Sequence, residues 1–424
     1  MPWKECDRVS LRREFVALAT RPDANVSQLC LRFGISRPTA YKWLERFAAE
    51  GLDGLADRSR RPRTMPGRTS DELEQAVLGI RTDHRCWGGR KIRARLQALG
   101  VVQAPAASTI TAILRRHDQI DPQEASKRQA LGRFEHPRPN DLWQMDFKGE
   151  FKMLDGRWCY PLTVLDDHSR YSLAIRACGD QFGATVKDQL IEVFRRYGLP
   201  WRMLMDNGKP WGCPHGQLGW SKLAVWLLRL DVAVTHARRY HPQTQGKEER
   251  FHRTLKQELL LGRCVTDLAA AQRLFDPWRR MYNCDRPHEA LAQRPPATRY
   301  AVSPRVYPET LAPLEYDGVF SVRRPSKVGQ FGFQGRLCKT SEAFSGLAMG
   351  LRGTIDDGVF RVYLGRHRVG WLDLRGSSRG AKNLPVVAAR PSGLGAAGRW
   401  ALAGLRSNAA PSPEDHCTIE EEPL

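Results

Sequence analysis

The spacing of apolar residues divides the chain into helical and strand-rich segments, beginning with two short helices. Apolar residues recur at helical spacing from Arg8 to Glu50, and Gly34 separates two amphipathic stretches in VSQLCLRFGISRPTAYKWLERF. This pattern predicts a helix-turn-helix over residues 1–56, with Ser36 as the N-cap of its second helix. Four apolar residues of that helix should pack inward: Ala40, Trp43, Leu44 and Phe47. Its outward polar residues, the candidate DNA contacts, are Arg37, Thr39 and Lys42. A helical hairpin that does not touch DNA is the alternative.

A second helical unit is predicted over residues 70–118, after a basic linker at 57–69. The linker contains Arg60 and Arg61 in RSRRPRTMPGR, a composition that suits an arm along a phosphate backbone, although a plain solvated linker is the alternative. The expected helices are Asp71–Asp83, Gly89–Leu99 and Ser108–Arg116, the last with Ser108 as its N-cap. A polar linker with three prolines follows at 119–140.

Residues 141–300 have the pattern of a mixed α/β sheet. Apolar and polar residues alternate in LWQMDFKGEFKM, which predicts one half-buried strand. The segments RWCYPLTVLDDHSRY and SLAIRACG complete an expected three-stranded meander. The elements expected next are a helix at Ala184–Tyr197, a strand in WRMLMDNG, a buried helix in SKLAVWLLRL, a strand in VAVTHARRY and a long amphipathic helix from Lys247.

The last part of the chain is predicted to be β-rich and then unstructured. Short runs of β-forming residues separated by glycines, over residues 315–375, predict a small antiparallel β-barrel or sandwich, and we expect the barrel. Residues 376–424 are rich in Gly, Ala, Ser and Pro and are predicted to be a disordered tail.

Charge and cysteine usage narrow the class of protein. The formal net charge is +21 and the sequence pI is about 9.9, which favours a nucleic-acid partner. The ten cysteines show no CxxC pair, so we expect free thiols in a reducing compartment. No apolar run approaches the ~18–20 residues that span a bilayer, and the polar start lacks the apolar stretch of a secretory signal. These features predict a soluble intracellular protein with no membrane partner.

Three acidic positions are candidates for chemistry. Asp146 lies on the polar side of its predicted strand, and Asp206 lies where a strand ends at an Asn-Gly turn. Each aspartate alone is weak evidence, because turns also favour Asp. Glu248 and Glu249 compete for the third position, but Glu249 shares a helical face with Arg253 and Lys256. An exposed helix with ion pairs is the alternative for this segment.

The segments WQMDFKG, VLDDHSRY, DNG and HPQTQGKEERFHRTLKQE occur in this order, followed by YNCDRPHEAL. Over most of residues 1–375, the set resembles insertion-sequence transposases of the DDE class with a retroviral-integrase-type catalytic core. The resemblance implies an RNase H-like core in which Asp146, Asp206 and Glu249 are catalytic and bind the metal ions. Such carboxylates would hold two Mg²⁺ ions, for which Mn²⁺ can substitute.

The resemblance also implies an activity, partners and a location. It implies metal-dependent cleavage of element ends and strand transfer into target DNA. It further implies binding to double-stranded DNA, a homo-oligomer on that DNA and a place at the bacterial nucleoid in the cytoplasm. Around the site we expect Asn207 to orient the reacting groups, and the expected phosphate contacts are His241, Lys247, Arg253 and Lys256. Asp166 and Asp167 are interpreted as turn residues, and His252 as a packing residue rather than a ligand.

The sequence departs from the family pattern at two points. Between Asp206 and Glu249 lie 42 residues, more than in retroviral relatives, and the additional length falls in KPWGCPHGQLGWS. The paired His and Cys zinc module of retroviral integrases is absent from the sequence, so we expect no structural zinc. Two alternative functions remain: a DNA-binding regulator with an inactive core, and an RNase H-like nuclease that does not transfer strands.

Overall fold

The structure is a computed structural model that describes residues 8–58, 69–120, 135–206, 208, 210–211, 219–236, 246–375 and 384–388. The chain divides into two compact units, Met1–Arg68 and Thr69–Leu424. The domain bounds expected from the sequence remain predictions. Among the described helices, none has both the length and the apolar character needed to cross a lipid bilayer.

The first unit is a three-helix module. Its helices are α1 (Arg8–Ala19), α2 (Val26–Phe33) and α3 (Arg37–Glu50). Gly34 ends α2 in the left-handed conformation at φ 64°, and the side chain of Ser36 accepts a hydrogen bond from Thr39 N at the start of α3. Ala40 and Trp43 are buried with residues of α1 and α2. The predicted turn, N-cap and inward face are therefore confirmed.

The second unit begins with another group of three helices. They are α4 (Asp71–Asp83), α5 (Gly89–Ala98) and α6 (Ala107–Arg116). Ser70 caps α4, and seven apolar residues form their core: Val77, Trp87, Ile92, Leu96, Ile110, Ile113 and Leu114. The predicted N-cap at Ser108 is wrong. Helix α6 begins one residue earlier because Ala106 is the extended residue before it, and Ala106 makes no side-chain cap.

A mixed six-stranded sheet forms the centre of the second unit. Its strands are β1 (Trp143–Phe147), β2 (Phe151–Lys152), β3 (Trp158–Asp166), β4 (Ser172–Cys178), β5 (Arg202–Met205) and β6 (Ala233–His236). Strand β3 pairs antiparallel with β1, β2 and β4, whereas β5 pairs parallel with both β1 and β6. The predicted meander and the predicted mixed sheet are therefore confirmed.

Helices cover both faces of this sheet. They are α7 (Gly183–Tyr197), α8 (Lys222–Arg229), α9 (Gly246–Leu255) and α10 (Leu268–Cys284). One face, with Trp143 and Met145, packs in a cluster with apolar residues of α7 and α8. The other face, with Leu165 and Ile175, packs with α9 and α10. Because both faces are covered, the candidate carboxylates must reach solvent at an edge of this layered structure.

Two predicted elements are interrupted. The segment predicted as one strand forms β1 and β2, separated by residues 148–150, and its polar Gln144 is buried rather than solvated. Gln144 is buried because helices also cover its face, where its amide donates to Asp167 Oδ1 at 2.6 Å. The long helix predicted from Lys247 ends as α9, followed by a π-helical turn over Lys256–Leu260, and α10 is a separate helix.

Residues on the two sides of the segment 212–218 contact each other. Trp211 and Trp220 are both buried in the core cluster that contains α7 and α8. Ser221 Oγ donates to Trp211 O at 2.8 Å and also caps α8. Trp220 Nε1 donates to Val369 O at 2.9 Å. Residues 211 and 220–221 are therefore bound to each other and to the protein core.

The C-terminal region contains two small sheets. The first joins β7 (Ser321–Arg323), β10 (Met349–Gly353), β11 (Val359–Leu364), β12 (His367–Asp373) and β14 (Val387–Ala388). The second joins β8 (Gln330–Phe333), β9 (Arg336–Lys339) and β13 (Leu384–Pro385). The β-rich prediction is confirmed, but the described strands form two separate sheets, so a closed barrel is not confirmed. Their buried residues share one apolar cluster with α7 and α8.

Part of the predicted disordered tail is ordered. Leu384 and Pro385 pair parallel with β9, and Val387 and Ala388 pair antiparallel with β12. Between these two pairs, Val386 is buried. The prediction of disorder is therefore wrong for residues 384–388, because strand pairing and the burial of Val386 order this short segment. The other residues of the predicted tail lie outside the described residues.

Candidate active site

Asp146 and Asp206 occupy corresponding positions on neighbouring parallel strands. In the register of β1 and β5, Gln144 pairs with Leu204. Asp146 lies two residues after Gln144, and Asp206 lies two residues after Leu204. Side chains alternate between the two faces of a sheet with a period of two. Both carboxylates therefore belong to the sheet face of Gln144. Asp146 is half-buried and Asp206 is exposed.

Helix α9 presents Glu248 and Glu249 to different surroundings. Glu248 is 1% exposed and lies on the buried side of the helix with Phe251. Glu249, Arg253 and Lys256 are all exposed. The two faces agree with the helical spacing on which the prediction of Glu249 depended.

Asp206 and Glu249 act electrostatically on Asp146. Burial, and then the negative charges of Asp206 and Glu249, raise the pKa of Asp146 from 3.8 to about 6. A hydrogen bond of 2.8 Å from Phe147 N to Asp146 Oδ1 opposes this rise. The structure thus brings Asp146, Asp206 and Glu249 into one electrostatic group.

Cations border this group of carboxylates. Lys148 lies two residues after Asp146, so the alternation of this segment places both residues on the same side. Burial, and then the charge of nearby Lys256, lower the pKa of the Lys148 amine. The sequence interpretation missed Lys148, although the alternation that placed Asp146 on the polar side also places Lys148 there. Lys148, Arg253 and Lys256 supply positive charge beside the carboxylates.

A buried polar cluster, here named the Thr163 cluster, lies beneath α9 and consists of Thr163, Glu248 and His252. Burial raises the pKa of Glu248 well above its ordinary range and lowers the pKa of His252 to about 3. The sequence interpretation also missed Thr163, because nothing in its own segment distinguishes it from other strand threonines. His252 lies inside this cluster, which agrees with the packing role predicted for it.

Asp166 and Asp167 are buried hydrogen-bond acceptors at the end of β3. Asp166 accepts bonds from Asn140 N and from the backbone N and hydroxyl of Ser169. Asp167 accepts a bond from His136 N at 2.8 Å as well as the bond from Gln144. Both interactions fit the turn role predicted from the sequence.

The Lys247 side chain lies largely inside the protein. Its ammonium group forms an ion pair with the buried carboxylate of Asp167, donates to Asp167 O at 3.1 Å, and leaves the Lys247 side chain only 14% exposed. Burial lowers the pKa of this amine to about 8. An amine held by a buried carboxylate is poorly placed for DNA. The geometry therefore favours a structural role for Lys247 over the predicted phosphate contact.

Family comparisons match successive parts of the chain. A helix-turn-helix domain model matches residues 11–63, and a homeodomain-like domain model matches residues 39–114. Two integrase core domain models match residues 136–242 and 230–296. The model described as "IS481 family transposase, C-terminal domain" matches residues 320–380. Together these matches make the chain similar to insertion-sequence transposases with an integrase core. Its integrase core matches contain all three candidate carboxylates.

Relatives of this chain include mobile-element and viral proteins. It is 25% identical over 274 residues to the insertion element IS476 uncharacterized 39.2 kDa protein of Xanthomonas euvesicatoria, covering 63% of this chain and 75% of the relative. It is 26% identical over 288 residues to the Gag-Pol polyprotein of baboon endogenous virus. That alignment covers 66% of this chain but 15% of the polyprotein. The matched integrase core domains and the insertion-element relative support DNA transposition or integration as the function.

Solved structures similar to this chain include integrases. One is a simian T-cell lymphotropic virus intasome in complex with PP2A regulatory subunit B56 gamma, with 13% identity and a TM-score of 0.35. That match covers 70% of this chain and 96% of the other. Another is the catalytic core domain of BIV integrase, with 23% identity, a TM-score of 0.28, and coverage of 37% and 91% of the two chains.

The remaining predicted DNA contacts fall into two groups. Arg37 and Lys42 are exposed on α3, whereas Thr39 is half-buried and its Oγ1 lies 2.9 Å from Ser36 Oγ. The other group, Arg60, Arg61 and His241, lies outside the described residues, as does Asn207. The contacts in both groups remain predictions.

The donor set of the site fits a hard divalent cation. Asp146, Asp206 and Glu249 offer only carboxylate oxygens, the ligands that Mg²⁺ prefers. Burial and then the charges of Asp206 and Glu249 raise the pKa of Asp146, and a bound cation would offset both effects. In the described part of the chain, no three acidic, His or Cys side chains are already grouped closely enough to hold an ion.

Proposed function

We propose that this transposase cleaves DNA at element ends and transfers the new 3′-hydroxyl end into target DNA, with Asp146, Asp206 and Glu249 as its catalytic residues. The observation that carries the proposal is the convergence of three elements. Strand β1, the end of β5 and the exposed face of α9 each contribute one carboxylate, and burial, followed by the charges of the other two, raises the pKa of Asp146. Both steps are phosphodiester displacements at one site.

The carboxylates would hold two Mg²⁺ ions, or Mn²⁺ in their place, which when bound activate the attacking oxygen and stabilise the leaving oxygen. The protein itself binds and orients the DNA. Exposed Arg253 and Lys256 lie on the face of Glu249, where they can contact phosphates on either side of the scissile bond. No side chain is needed as a covalent nucleophile, because water and then a DNA hydroxyl attack.

We further propose that the helix-turn-helix selects the element ends and that copies of the chain act together on DNA. The exposed Arg37 and Lys42 of α3 suit contacts in a DNA groove. A net charge of +21 supports salt-sensitive binding to any duplex, including target DNA in a bacterial nucleoid. Two ends must be joined in concert, which favours a homo-oligomer.

The test is joining of a labelled, pre-cleaved element end to plasmid DNA with Mg²⁺ or Mn²⁺. Wild type should form joined product, Glu249→Gln should form none, and Glu248→Gln should retain part of the activity because its amide keeps the buried contacts. Loss only in Glu248→Gln would move the third carboxylate to Glu248. Nicking by wild type without joining would instead identify a nuclease, and neither product would identify a DNA-binding regulator.

A further inference from the structure

Thr163 connects the strand of one candidate carboxylate with the helix of another. It lies on β3 directly opposite Asp146 in the antiparallel register, so both side chains belong to the same sheet face. Thr163 is fully buried, and its Oγ1 lies 3.0 Å from Asp146 O. The same oxygen lies 3.2 Å from Glu248 Oε2 and 2.8 Å from His252 Nε2.

The two helix partners of Thr163 lie on either side of Glu249 in sequence. Glu248 and His252 are one helical turn apart, and His252 Nε2 lies 3.5 Å from Glu248 Oε2. Because α9 is a rigid element over this turn, fixing Glu248 and His252 against β3 also fixes where Glu249 projects. The Thr163 hydroxyl is thus a point at which β1 and α9 are held relative to each other.

The composition of this cluster is unfavourable for stability alone. Glu248 is buried, and within the described part of the chain its Oε1 has no hydrogen-bond partner. Burying a polar group without a full set of partners costs folding free energy, and apolar residues at such an interface avoid that cost. Because hydrogen bonds are directional, a polar cluster between β3 and α9 suits a role in fixing the orientation of α9 on the sheet better than a role in packing alone.

We propose that Thr163 is a positioning residue which, through Glu248 and His252, sets the location of Glu249 relative to Asp146. This inference rests on the proposed function of those carboxylates. A misplacement of ~1 Å at a reacting centre can lower a rate by ~10²-fold. Loss of the hydroxyl should thus weaken metal binding and slow joining while leaving DNA binding unchanged.

The experiment compares Thr163→Val, which keeps the side-chain shape, with Thr163→Ser, which keeps the hydroxyl. Thr235→Val is the matched control, because Thr235 is a buried threonine on β6 of the same sheet but outside the Thr163 cluster. The readouts on the full chain are Mn²⁺ affinity by paramagnetic resonance, affinity for the element end, the single-turnover joining rate and the melting temperature.

Thr163→Val should bind Mn²⁺ more weakly and join ends ~10–100-fold more slowly, with unchanged affinity for the DNA end. Thr163→Ser should recover most of both properties, and Thr235→Val should behave as wild type. Wild-type Mn²⁺ affinity and joining in Thr163→Val would overturn the inference, as would equal losses in Thr163→Ser.

A second substitution covers the case in which Thr163→Val does not fold. His252→Leu removes the partner at the helix and keeps an apolar surface at a half-buried position, so it should weaken Mn²⁺ binding in the same way. Unchanged Mn²⁺ affinity in this folded variant would refute the role of the cluster. If wild type binds Mn²⁺ but joins no DNA, the proposed strand transfer fails, whereas the Mn²⁺ comparison still decides the role of Thr163.

Discussion

Asp146→Asn should make the metal-free protein more stable, because the ionised Asp146 carboxylate is unfavourable in the folded chain. Its pKa rises from 3.8 to about 6 on folding. At about 1.4 kcal/mol per pKa unit, this difference corresponds to ~3 kcal/mol at neutral pH. Asparagine has nearly the same shape, can accept the hydrogen bond from Phe147 N, and carries no charge. We therefore expect the free energy of unfolding to increase by ~2–3 kcal/mol.

The increase should depend on pH in a defined direction. Since the pKa is raised, the folded chain holds the Asp146 proton more tightly than the unfolded chain does. Protonated Asp146 therefore favours the folded state below pH 3.8, and this contribution is lost as the pH rises through about 6. The advantage of asparagine should be full above pH 6, about half as large near pH 5, and small below pH 4.

Urea unfolding in EDTA, at neutral pH and near pH 5, measures this difference. Asp188→Asn is the control, because Asp188 is an exposed carboxylate on α7. Mg²⁺ should then stabilise wild type more than Asp146→Asn, since the variant lacks one ligand. A variant that is no more stable than wild type at neutral pH in EDTA would refute the conclusion that Asp146 is held in an unfavourable charged state.

Three further predictions, two of them with a control substitution, test the packing and the first unit. Phe275→Ala should lower the free energy of unfolding by ~3–5 kcal/mol in urea titrations, because Phe275 is fully buried, whereas Phe182→Ala at a 71% exposed position should have little effect. Gly198→Ala should lower the melting temperature, because the residue has φ +72° and a Cβ would lie 2.6 Å from a backbone carbonyl oxygen. Gly79→Ala in α4, where a Cβ meets nothing within 4 Å, should instead be neutral or stabilising. Arg37→Ala should weaken binding to element ends in fluorescence anisotropy without changing the melting temperature; an equal loss on unrelated duplexes would contradict a sequence-reading role for α3.

The sequence predicts features that depend on local periodicity. The bounds of α4 at Asp71 and Asp83 agree with the prediction, because an N-cap serine and helical spacing mark that segment. The exposed side of Glu249 and the buried side of Glu248 follow from 3.6 residues per turn. The shared face of Asp146 and Asp206 requires only the alternation of strands and their parallel pairing.

Features that depend on contacts between distant segments are not predictable in this way. The amine of Lys247 is bound by a carboxylate 80 positions earlier in the chain, and local pattern carries no sign of that partner. Thr163 acquires its role only when β3 pairs with β1 and α9 packs above both strands. The separate strands β13 and β14 form because β9 and β12 offer free edges, which composition alone does not reveal.

The hydrogen bond between Ser221 Oγ and Trp211 O has a practical consequence for protein engineering. It joins the two ends of the segment 212–218, and the buried rings of Trp211 and Trp220 fasten those ends to the core. A peptide tag or a fluorescent probe inserted between residues 212 and 218 would thus enter and leave at fixed points. The bond thus gives two anchored positions, 211 and 221, between which a probe could be introduced to follow assembly on DNA.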